Sequence, residues 1–211
     1  MPDAKPTVLI IDDDPGLRAS VGRLLRSLDL DTRLFASVSG FLKSNLPDGP
    51  ACLVLDVRLP GQSGLDFQRE LAGANVQLPI IFITGHGDVP MSVQAMKGGA
   101  IDFLMKPFRD QELLEAIQLG LSRDRAQRET EMALAALRER FESLSPRERE
   151  IMIQVARGRL SKQIAGEIGI AEATVKVHRS RVMRKMNAGS LPELGRMADK
   201  LQLVVERPQH S

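Results

Sequence analysis

The sequence predicts a doubly wound α/β domain, a five-stranded parallel sheet, followed by a helical linker and an all-α four-helix domain. Three observations carry that prediction. Short β-rich apolar runs alternate with helical patterns through the first 120 residues. A charged stretch without Gly or Pro then follows at 122–143. After it come short helices with clear start and stop signals. The charge changes with the pattern. Residues 1–122 carry 11 Lys and Arg against 15 Asp and Glu, a net of −4; residues 123–211 carry 18 against 12, a net of +6. An acidic front and a basic back suggest two domains with different partners, the back one suited to a polyanion.

The elements follow in order. Apolar runs at 7–11 (TVLII), 52–55 (CLVL) and 80–83 (IIFI) read as strands, with weaker ones at 32–35 and 101–104. Continuous apolar strands are the mark of a parallel sheet covered on both faces. Helical faces lie at 17–28, 64–72, 89–97 and 110–121. Right-handed crossovers bring every strand's C-terminal end to one edge, where such sheets bind ligands. The boundaries expected are 1–121 for this domain, 122–142 for the linker, 143–205 for the helical domain and 206–211 for a frayed tail. In the linker, charges of opposite sign sit three or four apart, as in Arg125–Glu129 and Arg128–Glu131. Its stripe of Met132, Leu134, Leu137 and Phe141 reads equally as one side of a spacer or as a pairing seam between two chains. Ser145-Pro146-Arg147-Glu148 and Ser190-Leu191-Pro192-Glu193 read as capping boxes opening the first and fourth helices of the last domain. Its second helix begins at Ser161, and its third runs from Glu172 to about Met186.

Composition excludes several classes. A hydrophobic content of 43% supports a core. The single cysteine, Cys52, rules out a disulfide framework and reads as a small buried core residue. No apolar stretch approaches the roughly 18–20 residues of a membrane span. The first residues lack a signal-peptide layout, so the expected location is cytoplasmic, with no membrane partner.

Four strand ends carry the chemistry. Asp12, Asp13 and Asp14 follow the first strand, Asp56 ends another, Thr84 ends a third, and Lys106 before Pro107 ends the last. Crowded carboxylates repel unless a cation joins them, and a small hard ion takes oxygen ligands. A carboxylate can then attack phosphorus, with Lys106 offsetting charge on the moving phosphoryl oxygens and Thr84 donating to the product. Asp14 reads as the N-cap of the next helix.

Asp12-Asp13, Asp56 with Pro60-Gly61, Thr84 in FITGHGD and Lys106-Pro107 closely resemble the receiver domain of two-component response regulators, over residues 6–121. The stretch DVPMSVQAMKGGAIDFLMKPF resembles the FixJ type. The fold implied is flavodoxin-like. The resemblance implies that Asp56 accepts phosphate from a sensor histidine kinase. It further implies Mg²⁺ (or Mn²⁺) held by Asp13, Asp56 and the backbone carbonyl of Arg58, with Asp12 acting mostly through water. Thr84 and Phe103 become the switch pair, the Arg58 and His86 side chains flank the phosphoryl group, and the Lys106–Pro107 bond is cis. A rival resemblance exists: Asp12-Asp13-Asp14 contains the Asp-x-Asp of haloacid-dehalogenase-type phosphatases. That family expects Thr or Val where this chain has Gly16, and it leaves Asp56 without a role.

In the basic half, Gly169-Ile170-Ala171 separates two helices at helix-turn-helix spacing. Val175, His178, Val182 and Met186 form the inward face of the second, with His178 expected as a packed, hydrogen-bonded core residue. Ala173, Lys176, Val177, Ser180 and Arg184 face outward, suited to a major groove. Arg179, Arg181 and Lys185 lie on the flanks, suited to phosphates. Residues 143–204 resemble the LuxR/NarL-type four-helix DNA-binding domain through LSPRERE, KQIA and TVKVHRSRVMRKM. Its implied DNA contacts are Lys162, Thr174, Lys176, Val177, Arg179, Ser180, Arg181 and Arg184, with double-stranded DNA as partner and a homodimer on phosphorylation. Two departures are visible: Ala171 stands where a capping Ser is usual, and Leu160-Ser161 stands where Asn is common before Lys. The function implied is a transcriptional regulator that accepts phosphate but is not a turnover enzyme.

Overall fold

The computed structural model describes residues 5–203; the expected tail at 206–211 lies outside them. Contacts divide the chain into two compact units, residues 1–128 and 129–211.

The first unit holds five parallel strands: β1 Thr7–Ile11, β2 Asp31–Phe35, β3 Ala51–Asp56, β4 Ile80–Thr84 and β5 Asp102–Met105. They pair in the order β2-β1-β3-β4-β5. The alternation of side chains explains why whole strands are apolar. Leu9, Ile11, Leu53, Leu55 and Phe82 enter one core, and Val8, Ile10, Val54, Ile81 and Ile83 enter the other. Every residue of β1, β3 and β4 is buried. Sheet order reverses at β1, whose neighbours are β2 and β3, so the crevice outside the carboxyl ends of β1 and β3 is the expected ligand position.

The helices are α1 Pro15–Ser27, α2 Val38–Leu42, α3 Gly64–Gly73, α4 Val89–Lys97 and α5 Asp110–Glu142. Helix α2 has no counterpart in the sequence reading. It is five residues long with Gly40 inside it, so periodicity has little to act on; it forms because Val38 and Phe41 are buried and Ser37 caps it. Asp14 caps α1 as expected, accepting from the Gly16 and Leu17 amides.

Helix α5 has 33 residues and continues through the linker region. Its residues up to Arg128 belong to the first unit. There the buried Asp124 carboxylate accepts the Ala51 amide at 2.8 Å and Arg128 Nε at 2.6 Å. The other Arg128 nitrogens reach the Asp48 and Pro47 carbonyls at 3.0 and 3.3 Å. Arg128, spaced for a partner on its own helix, also fastens α5 to the loop before β3.

The second unit adds α6 Pro146–Ala156, α7 Ser161–Ile168, α8 Glu172–Met186 and α9 Leu191–Lys200. Its core includes Ile151, Met152, Ile164, Val175, Val182, Met186 and Leu194. Leu137 joins that core and Phe141 packs against it, whereas Met132 stays exposed. Two apolar residues of the stripe are thus used within the chain. The Ser145–Glu148 capping box is complete. The second box is half formed: Ser190 accepts the Glu193 amide, but Glu193 accepts from Gly189 rather than Ser190. Gly169, with φ of +67°, takes the left-handed turn between α7 and α8, where a side chain is strained. His178 departs from expectation. Its Nδ1 is buried without a hydrogen-bond partner, because the α8 face it shares with Val175 and Val182 packs on an apolar core.

Candidate acidic site and nucleic-acid interface

Parallel register carries four predicted groups to one edge. Asp12 follows β1, Asp56 closes β3, Thr84 closes β4 and Lys106 follows β5. One carboxylate oxygen from each of Asp12, Asp13 and Asp56 lies within 4.8 Å of the others. Asp12 is fully buried and Asp56 is 6% exposed, while Asp13 is open to solvent. Lys106 Nζ lies 2.6 Å from Asp12 Oδ2 and 2.6 Å from Asp56 Oδ2. The Lys106–Pro107 bond is cis. The Lys106 amide donates to the Thr84 carbonyl at 2.8 Å, which fixes where the lysine side chain leaves the backbone.

Burial raises the pKa of Asp12, and the Lys106 hydrogen bond opposes but does not cancel that rise. For Lys106, burial pulls downward; hydrogen bonds to Asp12 and Asp56 outweigh it and hold the ammonium above its ordinary value. Backbone donors orient the carboxylates. The Arg58 amide donates to Asp56 Oδ1 at 2.9 Å, and the Asp14 amide donates to Asp12 Oδ1 at 2.8 Å. Asp56 keeps a solvent-accessible edge while its orientation is set. Oxygen-only donors crowded in this way fit a hard divalent cation.

The Thr84 hydroxyl is buried and accepts the His86 amide at 3.3 Å. Phe103 is half-buried, its ring 6.3 Å from that of Phe82. The Arg58 and His86 side chains are exposed. Cys52 is buried as expected, and burial pushes its thiol pKa up to about 12.

Two glycines escaped the sequence reading. A Cβ on Gly64 would overlap the Asp56 carbonyl oxygen, so α3 starts against the Asp56 backbone only because position 64 has no side chain. A Cβ on Gly87 would stand 2.8 Å from Phe103 and 2.9 Å from the Thr84 methyl. Their sequence signal was proximity to named motifs, Gly64 just after Pro60-Gly61 and Gly87 within FITGHGD.

In the second unit, Lys162, Thr174, Lys176, Val177, Ser180, Arg181 and Arg184 are exposed. Lys176 pairs with Glu172 at 2.9 Å along one solvated turn. Two flanking cations have other partners. Arg179 is half-buried, and its Nη1 donates to Ser161 Oγ at 2.6 Å. Lys185 Nζ lies 2.6 Å from Glu148 and 3.2 Å from the Ser143 carbonyl. That ion pair holds the Glu148 carboxyl below its usual range. Lys185 therefore ties α8 to α6 through Glu148, whereas its flank position suggested phosphates.

Residues 8–118 match the response regulator receiver domain, and residues 142–198 match the bacterial regulatory proteins of the luxR family. The chain belongs to the two-component response regulators. Nodulation protein W of Bradyrhizobium diazoefficiens is 54% identical over 197 residues, covering 93% of this chain and 87% of that protein. Transcriptional regulatory protein FixJ of Azorhizobium caulinodans is 43% identical over 198 residues, covering 94% and 93%. The solved structure of response regulator StyR superimposes with a TM-score of 0.84 at 46% identity, covering 93% of this chain and all of that one. This regulator thus joins a receiver to a LuxR-type DNA-binding domain, the FixJ-like arrangement. The haloacid-dehalogenase resemblance is set aside by those matches. Among the described residues, no helix is long and apolar enough to cross a membrane.

Proposed function

We propose that this regulator takes a phosphoryl group onto Asp56 from the phosphohistidine of a sensor kinase, and that the modified chain pairs and binds promoter DNA. The observation that carries the reading is Lys106 Nζ at 2.6 Å from both Asp12 and Asp56, beside the open carboxylate of Asp13. Asp13, Asp56 and the Arg58 carbonyl would hold Mg²⁺ or Mn²⁺, with Asp12 acting through water. Bound there, the ion supplies positive charge to the phosphoryl oxygens.

The residues do the rest. Asp56 attacks phosphorus through a carboxylate oxygen; a P–O bond forms as the P–N bond to the kinase imidazole breaks. Electrons of the broken bond return to that nitrogen. Lys106 keeps its proton and stays beside the phosphoryl oxygens as their fixed cation. The Thr84 hydroxyl turns from the His86 amide to donate to a phosphoryl oxygen, and Phe103 shifts with it. Arg58 and His86 stand at the rim, where they tune water access. The altered face favours pairing of two receivers, and two α8 helices then meet two half-sites. Lys176 and Val177 read bases, aided by Thr174, Ser180 and Arg184; Lys162 and Arg181 contact phosphates.

Labelling with acetyl phosphate and Mg²⁺ tests the acceptor. Asp56→Asn is expected to lose all label; a variant that still labels at the wild-type level removes Asp56 from the role. Gel filtration with beryllofluoride tests pairing, since a dimer is expected and an unchanged monomer contradicts it.

A further inference from the structure

The two helices of the DNA-binding motif both start without a side-chain cap. Leu160 precedes α7 and has no acceptor; only its amide is served, by Gln163 Oε1 at 2.9 Å. Ala171 precedes α8 and likewise offers no side-chain acceptor. Neither helix start therefore fixes its own chain direction in the usual way. Apolar packing of Ile164 against Val175 and its neighbours is not directional. Among the described residues, the hydrogen bond that joins the side chains of α7 and α8 is Arg179 Nη1 to Ser161 Oγ, at 2.6 Å.

That bond is well placed. Ser161 is the first residue of α7 and is only 8% exposed. Arg179 lies midway along α8 and is half-buried, whereas Lys176, Ser180 and Arg184 beside it are exposed. An arginine directed at phosphate needs its planar fork free in solvent. This one spends part of its fork on a nearly buried hydroxyl and brings a cation to a helix N-terminus, which the helix dipole disfavours. Such a contact persists only if the geometry it enforces matters.

We infer that Arg179 is a positioning residue: through Ser161 it sets the angle of α8 against α7, and it does not neutralise a DNA phosphate. The inference rests on the DNA-binding reading above, and it removes Arg179 from the phosphate contacts that the sequence suggested. Salt dependence separates the two roles. Each phosphate contact contributes about 0.9 to the slope of log K against log salt. A positioning residue changes affinity and leaves the slope alone.

The experiment uses the full chain treated with acetyl phosphate and Mg²⁺, and 30-bp duplexes that the wild type selects from a random pool. Affinity is measured between about 50 and 200 mM NaCl. Arg179→Gln is expected to weaken binding about fivefold at every salt with an unchanged slope. Ser161→Ala is expected to weaken it to a similar degree, and the double variant no further, because both remove one bond. Arg181→Gln, an exposed flanking cation, serves as the phosphate control, with a slope shallower by about 0.9. A comparable loss of slope in Arg179→Gln overturns the inference. So does wild-type affinity in Ser161→Ala, which retains the arginine and tests the bond even if the Arg179 variant folds poorly. If the wild type selects no duplex, or Arg184→Gln and Lys176→Ala bind as well as wild type, the DNA-binding reading itself fails, a result no Arg179 variant can produce.

Discussion

The receiver and the DNA-binding domain place their functional groups by opposite means. In the receiver four groups stand at strand ends and are tied to others: Lys106 to the Asp12 and Asp56 carboxylates, Asp56 to the Arg58 amide, Thr84 to the His86 amide. Its first four helices all begin on a side-chain cap, from Asp14, Ser37, Ser63 and Asp88. In the DNA-binding domain most candidate groups are exposed and make no bond to a neighbouring element. Its two central helices start uncapped. The phosphoryl transfer proposed for Asp56 needs atoms held to fractions of an ångström, and burial and hydrogen bonds supply that fixity. A groove-reading surface must reach out to its partner, so rigidity is left to a few interhelical bonds.

The largest expected effect strikes the rigid side. Gly64→Ala forces a methyl group into the Asp56 carbonyl, and backbone cannot step aside as a side chain end can. A cost of about 3 kcal/mol in urea denaturation is expected, together with loss of acetyl phosphate labelling. Wild-type labelling in a folded Gly64→Ala chain would show that Asp56 tolerates displacement and would erase the contrast. Asp124→Ala comes next. It leaves the buried Ala51 amide and Arg128 Nε without their acceptor, at a cost of about 2 kcal/mol. The adjacent Cys52 thiol should then react faster with a disulfide reagent. Asp124→Asn, which keeps an acceptor, should lose less.

The same contrast explains what the sequence made readable. Strand ends in a parallel sheet have one possible meeting place, so the convergence of Asp12, Asp56, Thr84 and Lys106 is legible from their positions at the ends of apolar runs. Gly64 and Gly87 were not, because their role is the absence of a side chain beside atoms distant in sequence. Helix α2 was too short for a period. On α8 the helical pattern separated inward from outward faces correctly, but it carried no information about partners on other helices. Lys185 and Arg179 looked like their exposed neighbours, and only the approach of Glu148 and Ser161 distinguishes them. His178 shared the inward spacing, yet spacing could not show that its Nδ1 meets no partner.

Glu148→Gln tests the Lys185 staple through pH. The folded pKa of Glu148 is depressed, chiefly by Lys185 and then by the Ser145 amide. Its contribution is therefore fully present above the ordinary value of 4.5 and is lost as pH falls through the lower folded value. Because Lys185 is about one-third exposed, solvent screening limits the effect to about 1 kcal/mol at neutral pH. The variant should be less stable than wild type at pH 7, and the two should converge as the solution is acidified. Parallel stability curves down to pH 3 would mean the pair contributes nothing.

Ala171→Ser addresses the least rigid feature and should give the smallest change, in the opposite direction. Ala171 already has the extended backbone of an N-cap, with φ of −67° and ψ of 144°. A serine hydroxyl there can accept the amide of Ala173 or Thr174 without backbone movement, adding about 0.5–1 kcal/mol to the DNA-binding domain. The more informative readout is epistasis with Ser161→Ala. If the Arg179–Ser161 bond stands in for missing caps, a capped α8 should lose less affinity for DNA when Ser161 is removed than the natural chain does. If the loss is the same in both backgrounds, capping and the interhelical bond act on separate degrees of freedom, and the absence of caps is not the reason Arg179 is held.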